Sequence, residues 1–361
     1  MMTSSDAYTM PEKLDSGDLS DRQISQSVYV IRCIAILAVI AAHVNIMDDS
    51  NRLSGLITHV WAVFSQFGVP AFLIIGGYYY HRDKDDSKIF WQKKLHSVII
   101  PWVIASFVTY FGTVICGQSL SAVGYFKWFI GLGSIHYYMT IYLIMLVVFK
   151  FVIKTPYLLA LIVIMFGSLF LEQIHFWGDY GGFGMTKYHN LLNWIGYFAF
   201  GVLIKRHRME KKVNNWGVGV SLVAVLFLFF IKCYLNKPTC FDVFNPLLQV
   251  SFLILIYGLI NKIFKMKFLR RQNFERGGGV MLFVGCNSLV IYLHHIYIVP
   301  YLLNRLPRFW LTQLIKPFLG LIIMVLLVYV ASAFLKRYSW GRNIMKCVGL
   351  KNPVYEKKNI V

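Results

Sequence analysis

Long apolar segments alternate with short polar segments along most of the chain. A transmembrane helix needs roughly 20 mostly apolar residues, and ten segments reach or approach that length. The pattern predicts an all-α fold, a polytopic membrane bundle of about ten transmembrane helices. The predicted spans are residues 28–47, 57–80, 98–116, 135–153, 156–171, 189–204, 216–235, 247–264, 279–302 and 313–335.

The apolar segments divide the chain into three parts. Residues 1–27 are predicted to be a polar cytoplasmic N-terminal segment, residues 28–335 the membrane domain and residues 336–361 a basic cytoplasmic tail. The orientation follows from Lys and Arg, which are enriched in cytoplasmic loops. With the N-terminus inside, the cytoplasmic segments hold 27 of the 36 Lys and Arg residues and the opposite segments hold 8.

The composition agrees with a membrane protein. Hydrophobic residues make up 57 % of the 361 residues and charged residues 14 %, whereas soluble domains carry about a quarter charged residues. The net charge of +20 would suggest a nucleic-acid partner in a soluble protein. Here the short basic loops account for it, so the expected partner is the lipid bilayer and not nucleic acid. The six cysteines show no metal-binding spacing, so no metal site is expected.

Ionisable residues at membrane depth are the most informative ones, because charged groups in hydrocarbon are costly. None of the sixteen Asp and Glu residues lies near the middle of a predicted span, which argues against a proton-coupled pump. The first span contains Arg32 and His43, eleven positions apart. At about 100° and 1.5 Å per residue, the two side chains lie on one helix face, separated by about 16 Å along the axis.

Two interpretations of this pair are open. In the first, Arg32 extends to the inner interface and His43 bonds a neighbouring carbonyl. In the second, Arg32 binds an anionic donor group and His43 is a general base, because imidazole titrates near neutral pH.

The Arg32 and His43 spacing resembles the hallmark of the acyltransferase 3 family of integral-membrane acyltransferases. Further stretches resemble family landmarks in the same order, from about residue 28 to 335. They are FGVPAFLIIGGYY at 67–79, KKLHSVIIPW at 93–102, HYYM at 136–139, GYFAFG at 196–201 and SLVIYLHH at 288–295. The chain departs from the family pattern at Gly76 (usually Ser), at Tyr29 (often an acid) and at Tyr137–Tyr138 (usually Leu-Trp).

The resemblance implies an O-acyltransferase of the bacterial inner membrane. Such enzymes move an acyl group, usually acetyl, from cytoplasmic acyl-coenzyme A to a hydroxyl of a surface polysaccharide or lipid-linked glycan. Acetyl-CoA would be a substrate, with no tightly bound cofactor. His43 would deprotonate the acceptor or form an acyl-imidazole, and Arg32 would bind donor phosphate or stabilise oxyanion charge. A glycan exporter or flippase and a structural membrane subunit are the alternatives.

Further candidates fall into two groups. Donor-binding cations at the inner face are Arg32, Lys93, Lys94, Arg270 and Arg271, although all but Arg32 are equally explained as positive-inside anchors. Residues that would line the cavity or orient the acceptor are His136, Tyr292, His295, Glu172 and Asp179. Tyr292 and His295 are three positions apart and therefore share a helix face. Polar contact between helices is the alternative for His136, Tyr292 and His295. Glu172 and Asp179, on the predicted outer loop before the sixth span, would orient His43 or bind sugar hydroxyls. The acceptor sugar, the acyl length and the oligomeric state, including a homo-oligomer, stay open.

Overall fold

The computed structural model describes most of the chain. The described residues are 21–44, 52–80, 87–117, 119–132, 134, 136–152, 154–176, 186–234, 242–265, 278–307 and 309–351. Within these ranges every regular element is helical and no strand is present. Asp179, Arg270 and Arg271 lie outside the described residues.

The described residues form sixteen α-helices, one π-helical turn at Leu95–Ile99 and one 3-10 turn at Lys187–His189. The first eight are α1 (Asp21–Val44), α2 (Arg52–Ser65), α3 (Gly68–Tyr78), α4 (Ser87–Lys94), α5 (Ile100–Ile115), α6 (Ala122–Phe129), α7 (Tyr137–Val148) and α8 (Thr155–Gln173). The others are α9 (Leu192–Arg206), α10 (Met209–Lys212), α11 (Asn215–Tyr234), α12 (Asn245–Lys265), α13 (Gly278–Cys286), α14 (Ser288–Leu303), α15 (Trp310–Lys336) and α16 (Gly341–Val348).

Seven stretches in the described part of the chain are long and apolar enough to cross a membrane. They are Ile24–Val44, Arg52–Tyr78, Lys88–Ile115, Thr155–Gln173, Asn215–Tyr234, Asn245–Ile263 and Trp310–Lys336. A bend of 77° separates α13 from α14, which together form a broken span or a re-entrant loop. Helices α7 and α9, with 12 and 15 residues, are shorter than a typical span. The protein is therefore a multi-pass helical membrane protein, while the count of ten and the orientation stay predictions.

Helix α1 lies at the centre of the bundle. It packs against α2, α3, α12, α13, α14 and α15. Ala35, Ile36, Ala38 and Ile40 are fully buried at 0 % exposure. Because alanine leaves the helix slim, neighbouring backbones approach it closely. The helix that carries Arg32 and His43 is thus enclosed by protein over most of its length.

Helices α3 and α9 cross in close contact through two glycines. A Cβ atom on Gly77 would collide with the carbonyl oxygen of Phe198, and one on Gly201 would collide with that of Ile74. Only glycine permits this backbone approach, which is typical of helix pairs in membranes. The contact joins α3 closely to α9, and α3 also packs against α1.

The segment after α16 folds back onto the bend between α13 and α14. Asn287, buried at 0 % exposure, lies at this bend. Its Nδ2 donates to the carbonyl oxygens of Phe283 at 2.9 Å and Lys351 at 3.1 Å, and its Oδ1 accepts from the backbone N–H of Lys351 at 2.8 Å. Part of the predicted basic tail is therefore built into the membrane domain.

Candidate active site

A cavity of about 260 Å³ lies beside Arg32, bounded by α1, α3, the π-helical turn, α7, α14 and the segment after α16. We call it the arginine cavity and define it by Arg32, Lys94, Tyr138, Tyr292 and Lys351. No Asp or Glu is among the described residues that line it. Three cations in a described lining that contains no acid make this cavity suited to an anion.

Arg32 is held by aromatic rings rather than by an acid. Its guanidinium carbon lies 5.7 Å from the ring centroid of Tyr29, one turn earlier on α1, and 5.8 Å from that of Tyr79. Guanidinium groups interact favourably with aromatic faces within about 6 Å. In the described part of the chain no carboxylate forms an ion pair with Arg32, so its donors stay available to an anionic ligand.

Lys94 and Lys93 are adjacent in the sequence but lie in different environments. Lys94 lies at the end of α4, directly before the π-helical turn, and lines the arginine cavity. Its Nζ donates to the hydroxyl of Tyr142 at 3.1 Å. Lys93 is exposed and is not among the lining residues. A single π-helical turn inside a helix often marks a functional site, and here it belongs to the same wall as Lys94.

Two histidines meet beyond the arginine cavity. His43 lies in the last turn of α1, and its ring centroid is 5.1 Å from that of His295, with the ring planes tilted by 52°. His295 is completely buried, and its Nδ1 lies 2.7 Å from the carbonyl oxygen of Tyr292. Because a carbonyl only accepts, that Nδ1 donates its proton, and in the neutral ring Nε2 is an acceptor. This Nε2 has no hydrogen-bond partner among the described residues.

A column of aromatic rings connects the two halves of the site. Tyr142 stacks on Tyr138 with centroids 6.1 Å apart, and Tyr138 meets the edge of Tyr292 at 5.2 Å. Tyr292 lies 5.8 Å from His295. All three tyrosines line the arginine cavity, but neither histidine does. The cavity therefore ends at Tyr138 and Tyr292, one ring short of the histidine pair.

The structure places His136 in a different polar group. It is completely buried at the start of α7, and its Nε2 lies 3.4 Å from Oγ1 of Thr109 on α5. The indole N–H of Trp128 donates to the same hydroxyl at 3.1 Å, and the Trp128 ring lies 5.8 Å from that of Tyr297 on α14. His136 thus joins α5, α6 and α7, next to the helix that carries His295.

Glu172 lies at the contact between α8 and α9. Its Oε2 accepts from Nδ2 of Asn193 at 3.4 Å, and Oδ1 of Asn193 accepts from the hydroxyl of Ser168 at 2.7 Å. These bonds join two neighbouring helices. The structure therefore brings Arg32, Lys94, Tyr292, His295 and His43 into one region and places Glu172 in a separate contact.

Sequence reasoning missed three residues of this region. The sequence marks Tyr138 only as a departure from a family motif, gives no separate prediction for Tyr142 and assigns Lys351 to the basic tail. The stacked pair had a signal, because Tyr138 and Tyr142 are four positions apart on one helix face. No sequence pattern indicated Lys351, since its backbone hydrogen bond to Asn287 brings it to the cavity from a distant part of the chain.

No curated protein and no solved structure matches the chain. A family model described as an acyltransferase domain, that of the acyltransferase 3 family, matches residues 26–337. The matched region includes Arg32, both histidines of the pair and the tyrosine column. Because this match covers most of the chain, the protein belongs to the acyltransferase 3 family.

Proposed function

We propose that this acyltransferase is a bacterial inner-membrane enzyme that moves an acyl group, acetyl in the first instance, from acyl-coenzyme A to a hydroxyl of a surface polysaccharide or lipid-linked glycan. One observation carries the proposal. Arg32 in a cation-lined cavity and His43 beside the completely buried His295 lie at two levels of the same central helix, and Tyr292, in the wall of that cavity, contacts His295.

The arginine cavity is proposed to receive the donor. Coenzyme A carries phosphates, which arginine binds well because its planar group presents several donors. Arg32, Lys94 and Lys351 supply three cations without an opposing acid in the described wall. A volume of about 260 Å³ accommodates the thin pantetheine arm, with the nucleotide at the mouth. Placing this mouth in the cytoplasm rests on the predicted orientation.

The histidine pair is proposed to activate the acceptor. The hydroxyl proton passes to His43, the oxygen attacks the thioester carbonyl carbon, the carbon–sulfur bond breaks, and the coenzyme A thiolate leaves and takes up a proton. His295 is proposed as a positioning residue. Its Nε2 has no hydrogen-bond partner in the described structure, so a rotation of the neighbouring His43 ring would let one His43 nitrogen donate to it and leave the other nitrogen as the base. Attack by His43 itself, through an acyl-imidazole, is the alternative route.

The tyrosine pair lies on the path between donor and base. With Tyr138 and Tyr292 as the end wall of the arginine cavity, a thioester bound there does not yet contact His43. Displacement of these rings on donor binding is therefore part of the proposed cycle. Such closing and opening steps keep water away from the reacting thioester.

The test replaces His43 by Ala, with His294→Ala as the matched control. His294 directly precedes His295 in the chain and is half-buried. Its Nδ1 lies 2.9 Å from the carbonyl oxygen of Val290. Loss of a general base lowers acyl transfer by about 10²–10⁴-fold, so H43A cells should carry glycan without ester groups while polymer export continues. Mass spectrometry of surface glycan from deletion and complemented strains measures both.

Two outcomes would contradict the proposal. Esterified glycan retained inside H43A cells, with less polymer outside, would identify an exporter. Full ester content in a strain that carries both Arg32→Ala and His43→Ala would leave only a structural role. Trapping of an acylated His43 in purified protein, read by peptide mass spectrometry, would select the acyl-imidazole route.

A further inference from the structure

A second, larger cavity lies on the other side of Ile75. Its volume is about 480 Å³, and it is bounded by α1, α3, α9, α10, α11 and α12. On α1 the wall is formed by Ile24, Val28 and Ile31, which follow one face over about 10 Å of the helix. Leu253 on α12 continues the apolar surface. The volume falls within the range of roughly 300–1,000 Å³ that is typical of small-molecule sites.

One acid, Glu210, is buried in this mostly apolar wall. Glu210 on α10 is 7 % exposed, and we name the space around it the glutamate cavity. The Tyr78 hydroxyl donates to Oε1 at 3.3 Å. The second oxygen, Oε2, is buried without a hydrogen-bond partner, and no Lys or Arg forms an ion pair with Glu210 in the described part of the chain. Buried carboxylate oxygens are normally satisfied, so this one indicates a missing donor.

The surroundings identify the class of that donor. Lys212, exposed at the rim, lines the same cavity as Glu210, and Trp216, which is 79 % exposed, lies beside it. Tryptophan is enriched where membrane proteins meet lipid headgroups. An acyl chain matches the apolar wall, a phosphate matches the rim lysine, and a primary ammonium supplies both charge and N–H donors to Oε2.

We propose that the glutamate cavity binds one phospholipid with a primary-amine headgroup. Its acyl chain lies along Ile24, Val28 and Ile31, its ammonium bonds Glu210 and its phosphate lies near Lys212. An anionic headgroup without an amine offers Glu210 no cation, and a quaternary ammonium offers no N–H. The site is separate from the arginine cavity, so it does not depend on the proposed reaction.

The experiment uses the full-length protein reconstituted with equal parts of phosphatidylethanolamine, phosphatidylcholine and phosphatidylglycerol. Native mass spectrometry after mild detergent extraction counts the lipids retained. We expect phosphatidylethanolamine to be enriched about tenfold over each of the other two, which is the effect of one charge-assisted hydrogen bond. Glu210→Gln should abolish this preference.

A matched pair of cavity-filling variants tests the location. Ile254 lines the glutamate cavity, while Val250, one turn earlier on α12, lines a neighbouring cavity of about 460 Å³ whose described lining residues include no acid. We expect Ile254→Trp to lose the retained phosphatidylethanolamine and Val250→Trp to keep it. Val220→Trp on α11, which lines the same cavity as Ile254, replaces Ile254→Trp if that protein does not elute as a single species.

Three results would overturn the proposal. Equal retention of the three lipids by the unaltered protein would show that the cavity does not recognise the headgroup. An unchanged preference in Glu210→Gln would assign it to another residue. Loss of the lipid in Val250→Trp but not in Ile254→Trp or Val220→Trp would place the lipid in the neighbouring cavity.

Discussion

Ile75 separates two cavities that differ in size and in the charged groups that line them. The arginine cavity has about 260 Å³ and contains Arg32, Lys94 and Lys351, whereas the glutamate cavity has about 480 Å³ and contains one buried acid in a mostly apolar wall, with Lys212 at its rim. Both cavities are lined by α1, the helix that carries Arg32 and His43, so proximity to this helix does not distinguish them. The charged groups that line each cavity distinguish the two, because these groups determine which ligand is stabilised there.

Reversal of the charge at Arg32 is expected to have the largest effect on donor binding. Arg32→Glu introduces an acid into a cavity whose described lining has none, so phosphate is repelled where it was attracted. We expect kcat/KM for acyl-CoA to fall by about 10³-fold or more, as for loss of a group that stabilises developing charge. Release of free thiol by the purified protein measures the rate. Activity within tenfold of the unaltered protein would remove Arg32 from the donor site.

Lys93 and Lys94 are adjacent in the sequence, but only Lys94 lines the arginine cavity, so substitution of each tests whether the cavity binds the donor. We expect Lys94→Ala to raise the KM for acyl-CoA by about tenfold, since it removes one charge-assisted contact. Lys93→Ala should change it by less than twofold, because Lys93 is exposed outside the described lining. Equal effects of the two substitutions would favour a diffuse basic surface over a defined cavity.

Substitution of Tyr292, in the wall of the arginine cavity, is expected to have a smaller effect on activity. Tyr292→Ala removes the ring between the arginine cavity and His295, so water reaches the histidine pair. We expect hydrolysis of acyl-CoA without acceptor to rise by a few fold relative to transfer, while Tyr292→Phe keeps the ring and leaves this ratio unchanged. Coenzyme A release with and without acceptor measures the ratio. Truncation of a buried aromatic costs about 3–5 kcal/mol, so rates are compared per folded protein.

Ile75→Val is expected to have the smallest effect. Ile75 is 5 % exposed and lines both cavities. Loss of one methyl group costs about 0.5–1.5 kcal/mol of stability, while donor KM and lipid preference should stay within twofold because no charge changes. Thermal unfolding and the two binding assays measure these quantities. A large change in either ligand would show that the wall itself selects ligands.

The part of the site that follows from local geometry was predictable. Arg32 and His43 are on one helix, and their shared face follows from the helical repeat. The same argument joins Tyr292 to His295 on α14. The short apolar run at 189–204 already indicates that α9 is short. The short length of α7 and the break between α13 and α14 do not follow from the sequence in the same way, because each segment reads as one apolar span and hydropathy does not report bends.

The sequence alone predicts a multi-pass helical membrane protein and identifies the helix that carries its arginine and histidine, because apolar length and helical spacing are local properties. The acyltransferase assignment comes from the resemblance of the ordered motifs and from the family match. The packing of the helices brings His43 to His295, places Lys94 at the cavity while Lys93 is exposed, and returns Lys351 to Asn287. It also buries Glu210 beside a mostly apolar cavity. These contacts join residues far apart in the chain, and they depend on how closely whole helices pack, which no local pattern specifies.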